Sequence, residues 1–188
     1  MTADEIGQLA SRLRFGLYAH SAILQAIREP GAPAFAPREP TLAERHSSEV
    51  LCKDGTSRAF DWHYALDFAN SDPDVRGEMD RAWCVSSLIL LGDRLGERDY
   101  FDRAPVLEMV RHLRNGVAHG NRFTIRNPSE LSTWPAHTRN AACQSGETFV
   151  ITPELDGRPV LFDFMAVGDV LDLLVSVSTY LLRDRCGR

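Results

Sequence analysis

The ten residues Arg111-His112-Leu113-Arg114-Asn115-Gly116-Val117-Ala118-His119-Gly120 close an apolar-periodic segment, and the rest of the chain can be read outward from them. Val106, Val110, Leu113 and Val117 recur at three- and four-residue spacing. That spacing predicts a helix starting between Phe101 and Pro105, with Gly120 as a left-handed cap at its end. On such a helix His112, Asn115 and His119 stand at i, i+3 and i+7 and share one face beside the apolar stripe, with Arg111 and Arg114 on the adjoining ridge.

Before this helix, Thr2 is a candidate cap for one whose stripe is Ile6, Leu9, Leu13, Leu17, Leu24 and Ile27, reaching about Arg28. Pro30, Pro33, Pro37 and Pro40 then make residues 29–40 a proline-rich loop. Residues 41–53 and 58–70 read as two shorter helices separated by the turn Lys53-Asp54-Gly55. Ser71-Asp72-Pro73 opens a long helix with Cys84, Leu88, Leu91 and Leu95 inward, ending near Gly96. After the motif, residues 127–146 form a long polar loop. Residues 147–152 and 158–164 flank the turn-rich Pro153-Glu154-Leu155-Asp156-Gly157 as a hairpin. A last helix buries Val167, Val170, Leu171, Leu174, Val177 and Leu181, with Asp169 and Asp172 facing away. The expected fold is therefore mainly α, a single domain over residues 1–188. It is a helical bundle of about five helices with a small β-hairpin before the C-terminal helix.

Composition narrows the function classes. With 188 residues and 44% apolar side chains, one core can form without disulfides or a structural metal. Cys52, Cys84, Cys143 and Cys186 lie far apart and lack the paired spacing of zinc or redox motifs, so they read as free thiols. No secretory signal pattern opens the chain and no uninterrupted apolar stretch is long enough to span a bilayer, so the expected location is cytoplasmic, away from membranes. The net charge of -5 argues against nonspecific coating of nucleic acid. Yet residues 103–126 hold Arg103, Arg111, Arg114, Arg122 and Arg126 against Glu108 alone, a local +4 that leaves -9 on the other 164 residues.

The stretch RNGVAHG, residues 114–120, resembles the HEPN superfamily. In that superfamily an Arg, a polar residue and a following His lie at a helix end within a helical bundle. Arg-to-His pairs of similar spacing also occur at Arg14/His20 and Arg58/His63, but only the third pair has Asn115 directly after the arginine and closes on Ala118-His119-Gly120 at a helix end. The resemblance implies a metal-independent endoribonuclease in which the RNA 2'-hydroxyl attacks the adjacent phosphate, with Arg114, Asn115 and His119 as catalytic residues and no cofactor. His119 would be base or acid, since imidazole titrates near neutral pH. Arg114 would hold the phosphate through paired hydrogen bonds, and Asn115 would orient His119 or touch substrate. Arg111, His112 and Arg122 are the accompanying substrate-binding candidates. One histidine per chain leaves the acid–base pair incomplete, and a homodimer would supply the second across its axis. The partners implied are an RNA substrate, a second copy of the chain and, for a toxin or antiphage effector, an antitoxin or regulatory protein. The alternative is a noncatalytic HEPN module that binds nucleotide, RNA or a protein partner.

Other polar residues have plainer readings. His20, between Leu17 and Leu24, reads as a core histidine, and His63 with Asp67 as a surface pair at i, i+4. His46, Glu49 and Cys52 lack the fourth ligand of a zinc site. Trp62, Trp83 and Trp134 read as core or interface aromatics. The 127–146 loop, with His137 and Arg139, leaves the motif helix directly and is a candidate flap over substrate or partner.

Overall fold

The computed structural model describes residues 1–28, 47–127 and 149–183. The proline-rich loop 29–40, His46, all of the 127–146 loop after Asn127 (including Trp134, His137 and Arg139), Cys143 and Cys186 lie outside the described residues. So do the side chains of Leu24, Ile27, Trp62 and His63.

Thr2 starts the first helix, α1 (Ala3–Arg28), with a reciprocal capping box: the Glu5 amide donates to Thr2 Oγ1 at 3.3 Å and the Thr2 amide donates to Glu5 Oε2 at 2.7 Å. Those bonds, the backbone one first, hold the exposed Glu5 carboxyl below its ordinary range. The long central helix, α3 (Pro73–Gly96), begins where the sequence places it. Asp72 Oδ1 accepts from the amides of Asp74 (2.9 Å) and Val75 (3.3 Å), and Pro73 needs no partner at the first helical position. The motif helix, α4, is Pro105–Ala118, and the C-terminal helix, α5, is Val167–Arg183.

The chain is mainly helical, with five α-helices and one small antiparallel hairpin ahead of the C-terminal helix among the described residues. The hairpin's place differs from the expected 147–164, whose described part, 149–164, contains no strand. Its strands are β1 (Ser47–Leu51) and β2 (Ser57–Asp61), paired from Ser47 with Asp61 to Leu51 with Ser57. This corrects the described part, 47–53, of the helix expected over 41–53, and the helical start expected at Arg58. Gly55 takes φ +85°, Asp54 Oδ1 accepts from the Thr56 amide at 3.0 Å, and the Cys52 amide donates to Thr56 O at 2.7 Å. An Asp-Gly turn of this kind reverses the chain and lets the two short runs pair. Asp61 then caps α2 (Trp62–Ser71) through the Tyr64 amide at 3.1 Å, so that helix starts at Trp62.

Residues 149–164, expected as most of a hairpin, do not pair with themselves as two strands. Pro153–Leu155 is one 3-10 turn, and the segment after it pairs with the stretch that leaves α4. The Phe123 amide donates to Arg158 O (3.0 Å), the Gly157 amide to Phe123 O (2.9 Å) and the Val160 amide to Asn121 O (3.0 Å). The Asn121 side chain completes the junction like a peptide group: its Oδ1 accepts from the Leu161 amide (2.8 Å) and its Nδ2 donates to Leu161 O (3.1 Å). Only isolated bridges result, Arg122 with Pro159 and Leu161 with Met165.

The chain falls into two compact units. One comprises Met1–Leu17 and Asp80–Arg188, and its core is a single cluster. Ile6 and Ala10 of α1, Cys84, Leu88, Leu91 and Leu95 of α3, Leu107, Met109, Val110 and Leu113 of α4, and Val170, Leu173, Leu174 and Val177 of α5 are all fully buried. The expected stripes are borne out on α3 and α4, whereas on α5 Leu173 is buried and Leu171 only half-buried. Within this unit Trp83 lies over Gly16 and donates from Nε1 to Leu13 O at 3.2 Å. The other unit, Tyr18–Met79, holds the hairpin and α2, and among its described residues only Ala69 is a buried apolar side chain. Among the described residues no helix is long and apolar enough to cross a membrane.

Candidate active site

The C-terminal half of α4 carries the motif, and two glycines set how it packs. A Cβ at Gly116 would lie 2.3 Å from Val160 Cγ2, so the segment after the 3-10 turn can close on α4 only at a glycine. A Cβ at Gly92 on α3 would lie 2.5 Å from Arg114 Cγ and 2.6 Å from its Cβ, so the Arg114 stem lies directly on α3 there. The helix ends at His119, whose amide donates to the carbonyls of Asn115 and Gly116 at 3.2 Å each. Gly120 follows with φ +80° and Asn121 with φ +60°, and this left-handed pair turns the chain away from the helix as expected of Gly120.

The structure brings Arg114 and Asn115 together, with Arg114 Nη1 3.3 Å from Asn115 Oδ1. It also gives Arg114 a carboxylate from another helix: Asp93 Oδ1 accepts from Nε at 2.8 Å and lies 2.6 Å from Nη2. Asn115 and His119 are exposed, and among the described residues no side-chain hydrogen bond joins the His119 ring to Arg114 or Asn115.

Arg111 and His112 form a second group, half-buried one turn earlier. Arg111 Nε donates to Glu108 Oε2 at 2.7 Å, and its Nη2 stands 3.2 Å from His112 Nε2. A guanidinium can only donate, so this contact makes Nε2 the acceptor and places the imidazole proton on Nδ1. Glu108 is fully buried and also faces Arg103, with Oε1 3.7 Å from Arg103 Nη1. Beside them Tyr100 donates from its phenol to Gly92 O at 3.0 Å. Burial pushes that phenol above its ordinary range, against the pull of the Arg114 and Arg111 charges. Arg122 is exposed, and its Nη1 donates to Gly157 O at 2.6 Å, tying the guanidinium to the segment that packs on Gly116.

Residues that carry this arrangement and were not singled out in the sequence are Gly92, Asp93 and Tyr100. Asp93 lies 21 positions before Arg114 on a different helix, so no local spacing signals it. The Glu108 to Arg111 pair at i, i+3 was legible, but the burial of Glu108 was not. Among the described residues no group of three or more His, Cys, Asp and Glu side chains is placed to hold a metal ion. His20 is half-buried on α1, and Glu49 and Cys52 lie on β1 and its turn instead of on a common helix.

Chemically, the helix end offers a guanidinium held beside an amide and an exposed imidazole close by in sequence. No known protein family, curated protein or solved structure matches this chain.

Proposed function

We propose that the protein is a HEPN-type endoribonuclease that works as a homodimer and needs no metal. The observation that carries the reading is the placement of Arg114 beside Asn115 at the end of α4, one turn before the exposed His119. In the reaction the RNA 2'-oxygen forms a bond to the adjacent phosphorus as the bond from phosphorus to the 5'-oxygen breaks. One imidazole takes the 2'-hydroxyl proton and another protonates the leaving 5'-oxygen. Arg114 stabilises the charge that gathers on the phosphoryl oxygens. The products are a 2',3'-cyclic phosphate and a free 5'-hydroxyl. The two imidazoles are His119 and the partner's His119, brought together across a two-fold axis. A toxin or antiphage effector under the control of an antitoxin or regulatory protein fits such an activity.

The test is cleavage of labelled RNA in excess EDTA. The expected outcome is a cyclic-phosphate end, lost in His119→Ala and Arg114→Ala proteins that still fold and dimerise. A protein that stays monomeric at micromolar concentration, or wild-type and His119→Ala proteins that cleave equally, would overturn the reading.

A second reading, a noncatalytic HEPN module for nucleotide, RNA or a protein partner, is favoured by one observation. Arg111 and Arg114 already have carboxylate partners, as a structural pair would. Binding of RNA without cleavage by the wild-type dimer is the outcome that selects it.

A further inference from the structure

We infer that Gly92 and Asp93, at the end of α3, are a seat that holds the Arg114 guanidinium with one edge turned out, making Asp93 a positioning residue for the phosphate-binding arginine. The functional half of this inference rests on the proposed role of Arg114; the positional half does not.

The argument starts from the geometry of a guanidinium, whose N–H donors lie in one plane along distinct edges. Asp93 Oδ1 engages the edge formed by Nε and Nη2, at 2.8 and 2.6 Å. Nη1 faces Asn115 Oδ1 at 3.3 Å. The edge shared by Nη1 and Nη2 carries one proton from each nitrogen, and Asp93 takes neither. That pair of parallel donors is the one that meets two oxygens of a phosphate. A carboxylate on the side edge therefore does not compete with a phosphate on the end edge, and it stops the guanidinium from rotating about its long stem.

Gly92 completes the seat, because any Cβ there would collide with Arg114 Cβ and Cγ at 2.6 and 2.5 Å. Those atoms are the root of the side chain and have little freedom to give way. Tyr100 in turn anchors the Gly92 carbonyl at 3.0 Å, so the last turn of α3 is itself held. The Asp93 and Arg114 side chains are 47% and 32% exposed. An ion pair this open adds little to folding, so its loss leaves the fold intact and its placement matters for the site instead.

The experiment has two arms. In the first, the Arg114 Nε–H signal is assigned by its loss in Arg114→Lys and followed by heteronuclear NMR. The wild type is expected to show a discrete signal that exchanges slowly with water. Asp93→Ala should speed that exchange by about tenfold or more, with the backbone amide spectrum otherwise preserved, and Asp93→Asn, which keeps an acceptor, should fall between. An unchanged Arg114 signal in Asp93→Ala would overturn the seat. In the second arm, Asp93→Ala is expected to lower kcat for RNA cleavage by about tenfold or more with KM little changed, and Asp93→Asn to recover most of it. Faster cleavage by Asp93→Ala would make Asp93 a brake and overturn its positioning role. A wild type that does not cleave RNA would sink the proposed activity alone, because the NMR arm decides the seat without turnover.

Discussion

Gly116 and Arg114 sit two positions apart on α4 and meet different neighbours for the same reason: each lies where another segment comes within contact of the helix. At Gly116 the neighbour is Val160, and the Arg122 carbonyl would also stand 3.2 Å from a Cβ. Gly116→Ala is therefore expected to destabilise the fold by about 1–3 kcal/mol, since neither backbone nor a branched side chain yields without strain. Chemical denaturation would show a lower midpoint at unchanged slope; an alanine variant as stable as the wild type would mean that the 158–165 segment can move off α4 at no cost. At this scale the sequence was informative about chemistry and silent about neighbours. Arg114, Asn115 and His119 stand out through the resemblance of their stretch to the HEPN superfamily, whereas Asp93 and Gly92 carry no such signal. Their relation to Arg114 exists only once α3 and α4 pack together.

Among the elements, helices with strong stripes and explicit caps were legible: Thr2 and Asp72 start α1 and α3, and Gly120 turns the chain after α4. The hairpin was misplaced because short runs such as Ser47–Leu51 carry no decisive period, and the Asp54-Gly55 turn that joins the strands outweighs it. Segment 149–164 has turn residues in hairpin order, yet Asn121 captures its backbone from outside. The face that α3 turns inward has a pH consequence. Burial, helped by the Asp80 charge, pushes the Cys84 thiol up from 9.0 to about 11. The folded state thus keeps its proton at a pH where the unfolded chain releases it. The associated stability is fully present below pH 9 and is lost as pH rises to about 11, a contribution on the order of 1–3 kcal/mol. Denaturation midpoints between pH 8 and 11 should fall less steeply for Cys84→Ala than for wild type, and parallel curves would refute the assignment. Tyr100, raised by burial in the same direction, adds to the alkaline loss in both proteins.

For the whole molecule, the local +4 read along residues 103–126 changes in three dimensions. Arg114 meets Asp93, Arg103 meets Asp99, and Arg103 and Arg111 share the buried Glu108, so two carboxylates from outside the segment enter the cluster. Three of the five arginines thus meet three acids. If RNA binds here, few phosphates are neutralised, and the salt dependence should be shallow. For the His119→Ala protein and a single-stranded oligonucleotide, the slope of log affinity against log salt is expected to be about -1 to -3. A slope near -5 or steeper would show that the charge on this helix end is not what meets the strand.

What the sequence determined by itself was the part carried by local physics: helix periods, caps, the left-handed turn at Gly120, and the types of residue able to handle a phosphate. Those follow from neighbours a few positions away, and they hold whatever the chain does elsewhere. Only the tertiary structure decided which carboxylate holds Arg114, that Glu108 is buried between two arginines, and which backbone pairs with residues 158–161. Each is a contact between distant parts of the chain, where partner and burial are set by how helices pack and not by the residue's own surroundings in sequence.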